Sequence, residues 1–281
     1  MEYKPRLLAV RPRSNIALVS ESRQAQRYRR RLSSNTPIRT ATIFVPNDPD
    51  ETPEHHFPLQ TITTRTTQSR FINRYDSREI LVLVNGSCIN NGSRDQIAHP
   101  SAGGCSFTYK GLGRHGSDVA FPFRDGSSTD GGTVGFPLEK SGPGGELRSA
   151  TSNRAKLRAV IAALEFRAWE EEGWRSIVVA TDLEYVAYGA TRWLPRWVRR
   201  RWRTSRSKPI SNQDLWEELH GIIETLQSMG TLVSFWLLPS RSIANADSAL
   251  VRDTKDAARE AATFHTDTTA AEFTRLCGIM V

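Results

Sequence analysis

The sequence predicts an α/β domain: a mixed five-stranded sheet, three antiparallel strands followed by two parallel ones, flanked by helices. Three observations lead there. Short apolar runs without charge or proline, Ile80–Val84 and Ile177–Ala180, suit strands, the second buried on both faces. Leu157, Val160, Ile161 and Leu164 recur at i, i+3, i+4 and i+7, the stripe of a core-facing helix. The elements run three strands, helix, strand, basic helices, strand, helix, which is the order of a mixed sheet covered by helices.

Residues 1–75 are rich in Arg, Ser, Thr and Pro without sustained periodicity and read as a basic, largely disordered leader. A transit peptide is the competing reading. Glu2, Glu21 and the lack of an amphipathic face speak for the ordinary leader. The domain spans 76–264, and 265–281 are a C-terminal tail. Within the domain, the strand Ile80–Val84 ends in the turn cluster NGSCINNGS, and Ala102–Lys110 is its hairpin partner. A third strand lies at Gly132–Leu138, beyond a Gly- and Ser-rich loop. Thr151–Trp169 is the clearest helix, capped by Ser152 or Asn153 and ended by Gly173. The strand Ile177–Ala180 stops at Asp182, and a carboxylate at the end of a buried strand sits where α/β sheets bind ligands. Asn212 caps a helix over Asp214–Met229, Leu232–Leu238 is the last strand, and an Ala-rich helix runs from Asn245 to about Phe264.

Arg192 to Lys208 is the most unusual composition in the chain. Arg192, Arg196, Arg199, Arg200, Arg201, Arg203, Arg206 and Lys208 are interleaved with Trp193, Trp197 and Trp202, and no acid falls between Tyr185 and Gln213. Such a mixture fits nucleic acid, because cations neutralise phosphates while indoles stack on sugars or bases. A solvated helix face with core tryptophans is the alternative. The formal net charge of +8 points to an anionic polymer as partner. Three cysteines, Cys88, Cys105 and Cys277, lack metal-ligand spacing and fit a reducing, intracellular compartment, nuclear or cytoplasmic, with the mitochondrion as the alternative. No apolar window is long enough to span a membrane, and a monomer is the default.

From about Glu79 to Glu260 the chain resembles ribonuclease H of type 1. NGSCINNG (Asn85–Gly92) is similar to the family's DGSC-x-x-N turn, TSNRAKLRAVIAAL (Thr151–Leu164) to its TxNRAEL helix, and ATDLEYV (Ala180–Val186) to its TDSxYV strand end. Gly189–Trp216, with RWRT and KPISNQDLW, resembles the basic protrusion that grips the DNA strand of a hybrid, and NADSAL (Asn245–Leu250) the helix bearing the final acid. The resemblance implies the ribonuclease H-like fold, RNA/DNA hybrid or other duplex as partner, and contacts from Cys88, Asn91, Asn153, Trp193, Trp197, Arg199, Arg200, Arg201, Trp202, Arg203 and Lys208.

The same resemblance implies cleavage of the RNA strand with Mg²⁺ or Mn²⁺ held by four carboxylates. Those positions fall on Asn85, Lys156, Asp182 and Asp247, so two acids are retained and two are replaced. Four carboxylates carry a formal −4; here Asn85 gives 0, Lys156 +1 and the two aspartates −2, leaving −1. Two dications need close hard-oxygen ligands to offset their mutual repulsion. An ammonium 4 Å away opposes each unit of positive charge by about 4 kcal/mol even at an effective dielectric of about 20. Weak or absent hydrolysis and no tightly bound metal are therefore expected, the pattern of a pseudoenzyme that keeps the grip. An active hybrid endonuclease and a protein-interaction scaffold are the alternatives. Lys156 either snorkels off the helix edge or pairs with Asp182 or Asp247. Glu184 and Glu146 are the nearest candidates for a substitute carboxylate, and Leu183 replaces the family's Ser.

Overall fold

The structure is a computed structural model that describes residues 8–9, 40–63, 67–91, 101–111, 119–120, 132–238, 246–263 and 272–277. Its centre is laid down by three strands, β5 (Glu79–Ile89), β9 (Ser176–Thr181) and β10 (Leu232–Leu237), which run parallel to one another. On the other side of β5 the antiparallel meander continues through β6 (Ala102–Thr108) and β8 (Thr133–Pro137). Ile80, Val82, Val84, Ile177 and Val179 face one core, while Leu81, Leu83, Val178 and Ala180 face another. Two-sided burial is why both runs are apolar throughout rather than alternating.

The expected five strands are present, and the sheet is wider than expected. β2 (Thr42–Ile43) adds to β10, and β7 (Val119–Ala120) adds to β8, giving seven strands in the order β2-β10-β9-β5-β6-β8-β7 among the described residues. The leader therefore does not end at residue 75. Thr40–Asn73 contributes β2, the short helix α1 (Pro53–His56) and a hairpin, β3 (Leu59–Thr63) with β4 (Thr67–Phe71). Residues 10–39 lie outside the described part. Nor is residue 264 the end of the packed chain. Arg158, fully buried and paired with Glu139, donates to the Thr274 carbonyl at 2.6 Å, and β11 (Leu276–Cys277) pairs with β1 (Leu8–Ala9).

Helix α2 (Ser152–Glu165) lies on the first core, where Leu157, Val160, Ile161 and Leu164 are all buried. Its cap is Thr151, whose hydroxyl accepts from the Arg154 N–H at 3.2 Å, not Ser152 or Asn153. The helix stops before Trp169, which is buried in the following turn, and Gly173 turns the chain there at φ +89°. Beside α2 packs α5 (Gln213–Ser228). Asn212 precedes α5 in the left-handed region, and its side chain makes no cap hydrogen bond, contrary to the expected role. The second face is covered by α6 (Ala249–Thr263), whose Ala258 and Ala262 backbones come so close to Gly104 that a Cβ there would sit 2.2–2.3 Å from them. Among the described residues no helix is long and apolar enough to cross a membrane.

The hairpin β3–β4 is tied down through Glu172. Its carboxylate accepts from Arg70 Nη2 at 2.9 Å, from Trp174 Nε1 at 2.9 Å and from Arg167 Nε. The Arg70 guanidinium also lies 5.3 Å from the Tyr109 ring. Burial pushes the Glu172 carboxyl up, and the Arg70 hydrogen bonds and the charges of Arg70 and Arg167 outweigh it, holding the group below the ordinary carboxylate value. A depressed folded pKa contributes stability above the unfolded value, and that contribution is lost as pH falls through the folded one. Stability is therefore expected to drop below about pH 4.5 in the wild type and to depend less on pH in Glu172→Gln. The Gln variant should cost about 3 kcal/mol at pH 7 by taking the carboxylate away from the buried Arg70 guanidinium. Urea unfolding at pH 7 and pH 3.5 measures both; parallel curves for the two proteins would remove Glu172 from the account.

Candidate metal and nucleic-acid site

The strands β5 and β9 end side by side. Leu83 and Ala180 are the last paired residues, and Asn85 and Asp182 each lie two positions further on. Lys156 reaches them because Gly86 touches the first turn of α2: a Cβ at Gly86 would stand 2.4 Å from the Lys156 backbone nitrogen. Lys156 Nζ is hydrogen-bonded to Asp182 Oδ1 as an ion pair, with side chains 13 % and 19 % exposed. The lysine thus points into the site rather than snorkelling off the helix. Asn85 is 5 % exposed, and its Oδ1 accepts from the Gly86 N–H at 2.8 Å. Asp247, helical and two residues ahead of α6, is exposed, and no ion pair to it forms among the described residues. Asn245 of the same motif lies outside them.

These residues do not fit a pair of dications. Among the described residues no three His, Cys, Asp or Glu side chains converge into a metal-binding group. The carboxylate best placed at the strand ends, Asp182, is already engaged by an ammonium. Neither substitute acid takes part: Glu184 is exposed, and Glu146 is exposed with its carboxylate 3.9 Å from Arg148. Cys88 and Asn91 lie at the end of β5 and in the turn after it, and Asn91 Nδ2 stands 3.5 Å from Ser152 Oγ. This brings the turn beside the first turn of α2, where Asn153 is exposed. Burial raises the Cys88 thiol above its ordinary pKa, so it is a poor nucleophile.

The basic stretch folds as α3 (Glu184–Tyr188), one π-helical turn (Gly189–Trp193) and α4 (Leu194–Arg199). Pro195 restarts the helix at the first turn of α4, where its missing N–H costs nothing. Trp193, Arg196, Trp197 and Arg200 fall at i, i+3, i+4 and i+7, and with Thr204 and Ser205 they line one open cleft of about 460 Å³. Its two indoles, Trp193 and Trp197, are tilted against each other at 5.8 Å, and Trp197 in turn meets Trp216 edge-on at 5.3 Å. Arg199, Arg201, Arg203 and Lys208 are exposed around it. Trp202 is the exception among the expected contact residues. It is 6 % exposed and packed into the core, because Arg201 and Trp202 both adopt left-handed backbone and fold the indole back under α4.

Three contributors were not expected from the sequence. Tyr185 donates to the Ser211 carbonyl and accepts from Trp216 Nε1, both at 2.8 Å, tying the strand end to the cleft. Burial raises its pKa, so it remains a donor at neutral pH. Arg154 grips Asp214 with both Nη atoms, at 3.0 and 2.7 Å, joining α2 to α5. Glu54 of α1 accepts from Ser248 Oγ at 2.7 Å and Leu250 N at 2.8 Å, capping the first turn of α6 beside Asp247. Only the cleft had a local signal, the helical spacing of Trp193, Arg196, Trp197 and Arg200.

The fold and site define an α/β domain whose parallel strand ends adjoin a basic aromatic arm. The RNase H family model matches residues 118–232, which include Lys156, Asp182 and the arm but neither Asn85 nor Asp247. The ribonuclease H of Xanthomonas oryzae pv. oryzae is 42 % identical over 105 residues, covering 33 % of this chain and 67 % of that protein. That of Cyanothece sp. is 46 % identical over 76 residues, 27 % of this chain and 47 % of the relative's length. The chain belongs to the ribonuclease H family. Among solved structures, a type 1 ribonuclease H with the type 2 active-site motif is 24 % identical at a TM-score of 0.41, over 65 % of this chain and 72 % of that one. The foamy viral protease-reverse transcriptase in complex with RNA/DNA hybrid is 14 % identical at 0.43, over 65 % and 20 %.

The geometry separates the tryptophans. Trp202→Ala should cost about 3 kcal/mol of stability, as for other buried tryptophans, whereas Trp193→Ala at the cleft should cost about 1 kcal/mol or less. Urea unfolding checks both; equal costs would contradict the division between core and cleft.

Proposed function

We propose that this protein binds nucleic acid, RNA/DNA hybrid or another duplex, and hydrolyses it weakly or not at all. The observation that carries the reading is the Lys156–Asp182 ion pair, an ammonium engaged where two dications would need carboxylates. The cleft supports the binding half. Its two indoles offer stacking surfaces, and Arg196 and Arg200 on the same helix face offer charge to a phosphate backbone. Contacts from the Cys88–Asn91 turn and from Asn153 belong to the same proposed surface. Free Cys88 and buried, unpaired Cys105 fit a reducing, intracellular setting.

Changing Arg199, Arg200 and Arg201 together to Ala should weaken hybrid binding alike for all sequences. The slope of log K against log salt should flatten by up to about 3 units. An unchanged slope would remove the arm from the interface and favour a scaffold that meets an acidic protein.

The wild type should show no metal-dependent cleavage above an Asp182→Asn control. Asn85→Asp alone brings the formal site charge to −2 and should not restore cleavage, whereas adding Lys156→Glu brings it to −4 and should give measurable hydrolysis with Mg²⁺ or Mn²⁺. Cleavage by the unmodified protein, lost in Asp182→Asn, would overturn the non-hydrolytic reading in favour of an active hybrid endonuclease.

A further inference from the structure

The two replaced positions do more than subtract charge, because each puts hydrogen-bond donors where a carboxylate would put acceptors. Asn85 Oδ1 accepts from the Gly86 N–H, which orients the amide and turns Nδ2 the other way. Among the described residues nothing accepts from that Nδ2. Lys156 has three N–H donors, of which Asp182 Oδ1 takes one. Its side chain is 13 % exposed, enough for a ligand atom to reach it and enclosed enough to strengthen the contact.

We infer that Asn85 and Lys156 form a metal-independent site for one backbone phosphate of the bound nucleic acid, an inference that rests on the binding reading above. The chemistry matches an anion on two counts. A dication at this position would face the Lys156 ammonium and the Asn85 Nδ2 donors. A phosphate oxygen would instead meet the two free donors of the ammonium and those of the amide, and hydrogen bonds to charged partners are the stronger kind. Asp182 cancels the formal charge of Lys156, so selectivity for phosphate comes from donor geometry here and from the arginines of the arm. Asp182 also holds the flexible lysine in place before the ligand arrives, so less side-chain entropy is lost on binding.

The test is binding of a defined RNA/DNA hybrid, followed by fluorescence anisotropy across a salt series, in EDTA and in Mg²⁺. Wild-type protein should bind in EDTA, and adding the metal should not strengthen binding beyond what its action as a counterion allows. Lys156→Gln should weaken binding roughly tenfold and flatten the salt slope by about 0.9, the share of one phosphate. Asn85→Asp, which keeps the shape and replaces Nδ2 with an acceptor, should also weaken binding roughly tenfold. The double variant Lys156→Gln/Asp182→Asn removes the ion pair at unchanged net charge and without leaving an uncompensated carboxylate, so it should lose the same roughly tenfold in affinity while keeping the wild-type slope. Thermal unfolding of each variant checks that it is folded. If the double variant binds with wild-type affinity, the phosphate site is overturned and the binding reading stands. If the wild type binds neither hybrid nor duplex, both fall.

Discussion

The contact of β5 with α2 at Gly86 is the constraint on which the site depends. A strand and a helix that meet backbone to backbone leave no room for a side chain, and the Gly86 position leaves none. Their close approach puts Lys156 directly over the ends of β5 and β9, where it meets Asp182. Any residue at position 156 would be delivered to the same place. The chemistry of the site is thus set by side-chain identity on a fixed frame, and an ammonium in place of a carboxylate changes the donors offered there without moving the backbone that carries them.

The arm beyond Asp182 is held differently. It buries Val186, Ala187, Ala190, Leu194 and Val198 in the first core, and aromatic packing and a few directed hydrogen bonds hold the rest. Trp216, fully buried on α5, carries Trp197 and Tyr185 against it, and Gly189 leaves space for its ring. Left-handed residues at Arg201, Trp202 and Ser207 then curl the basic loop back. The repulsion among its arginines is borne by this apolar underlayer rather than by nearby carboxylates.

Much of this was legible in the sequence because burial on both faces leaves a plain mark. Ile80–Val84 and Ile177–Ala180 read as strands and are strands, and the stripe from Leu157 to Leu164 lies on the core as expected. Asn85, Lys156 and Asp182, singled out by motif, lie together at the strand ends, and the pairing of Lys156 with Asp182 was one of the outcomes the residues allowed. What was not legible depended on distant partners. Thr42 and Ile43 form a strand only because β10 offers an edge, and two residues carry no periodicity. Glu54 caps a helix that begins almost two hundred residues later. Trp202 shares its composition with Trp193 and Trp197, and only the left-handed turn at Arg201 sends it inward.

The docking of Thr40–Asn73 has a practical consequence. This segment precedes the part of the chain that resembles ribonuclease H, yet it supplies the outermost strand beside β10 and the acceptor for the first turn of α6. Phe44, His56 and Phe57 also enclose the Trp236 indole. A fragment trimmed to the family-like portion would bare that ring and the edge of β10 together. Unpaired edges and naked aromatic surface are what neighbouring molecules stick to. Soluble, well-behaved protein therefore calls for keeping Thr40–Asn73 rather than starting at the boundary that sequence similarity suggests.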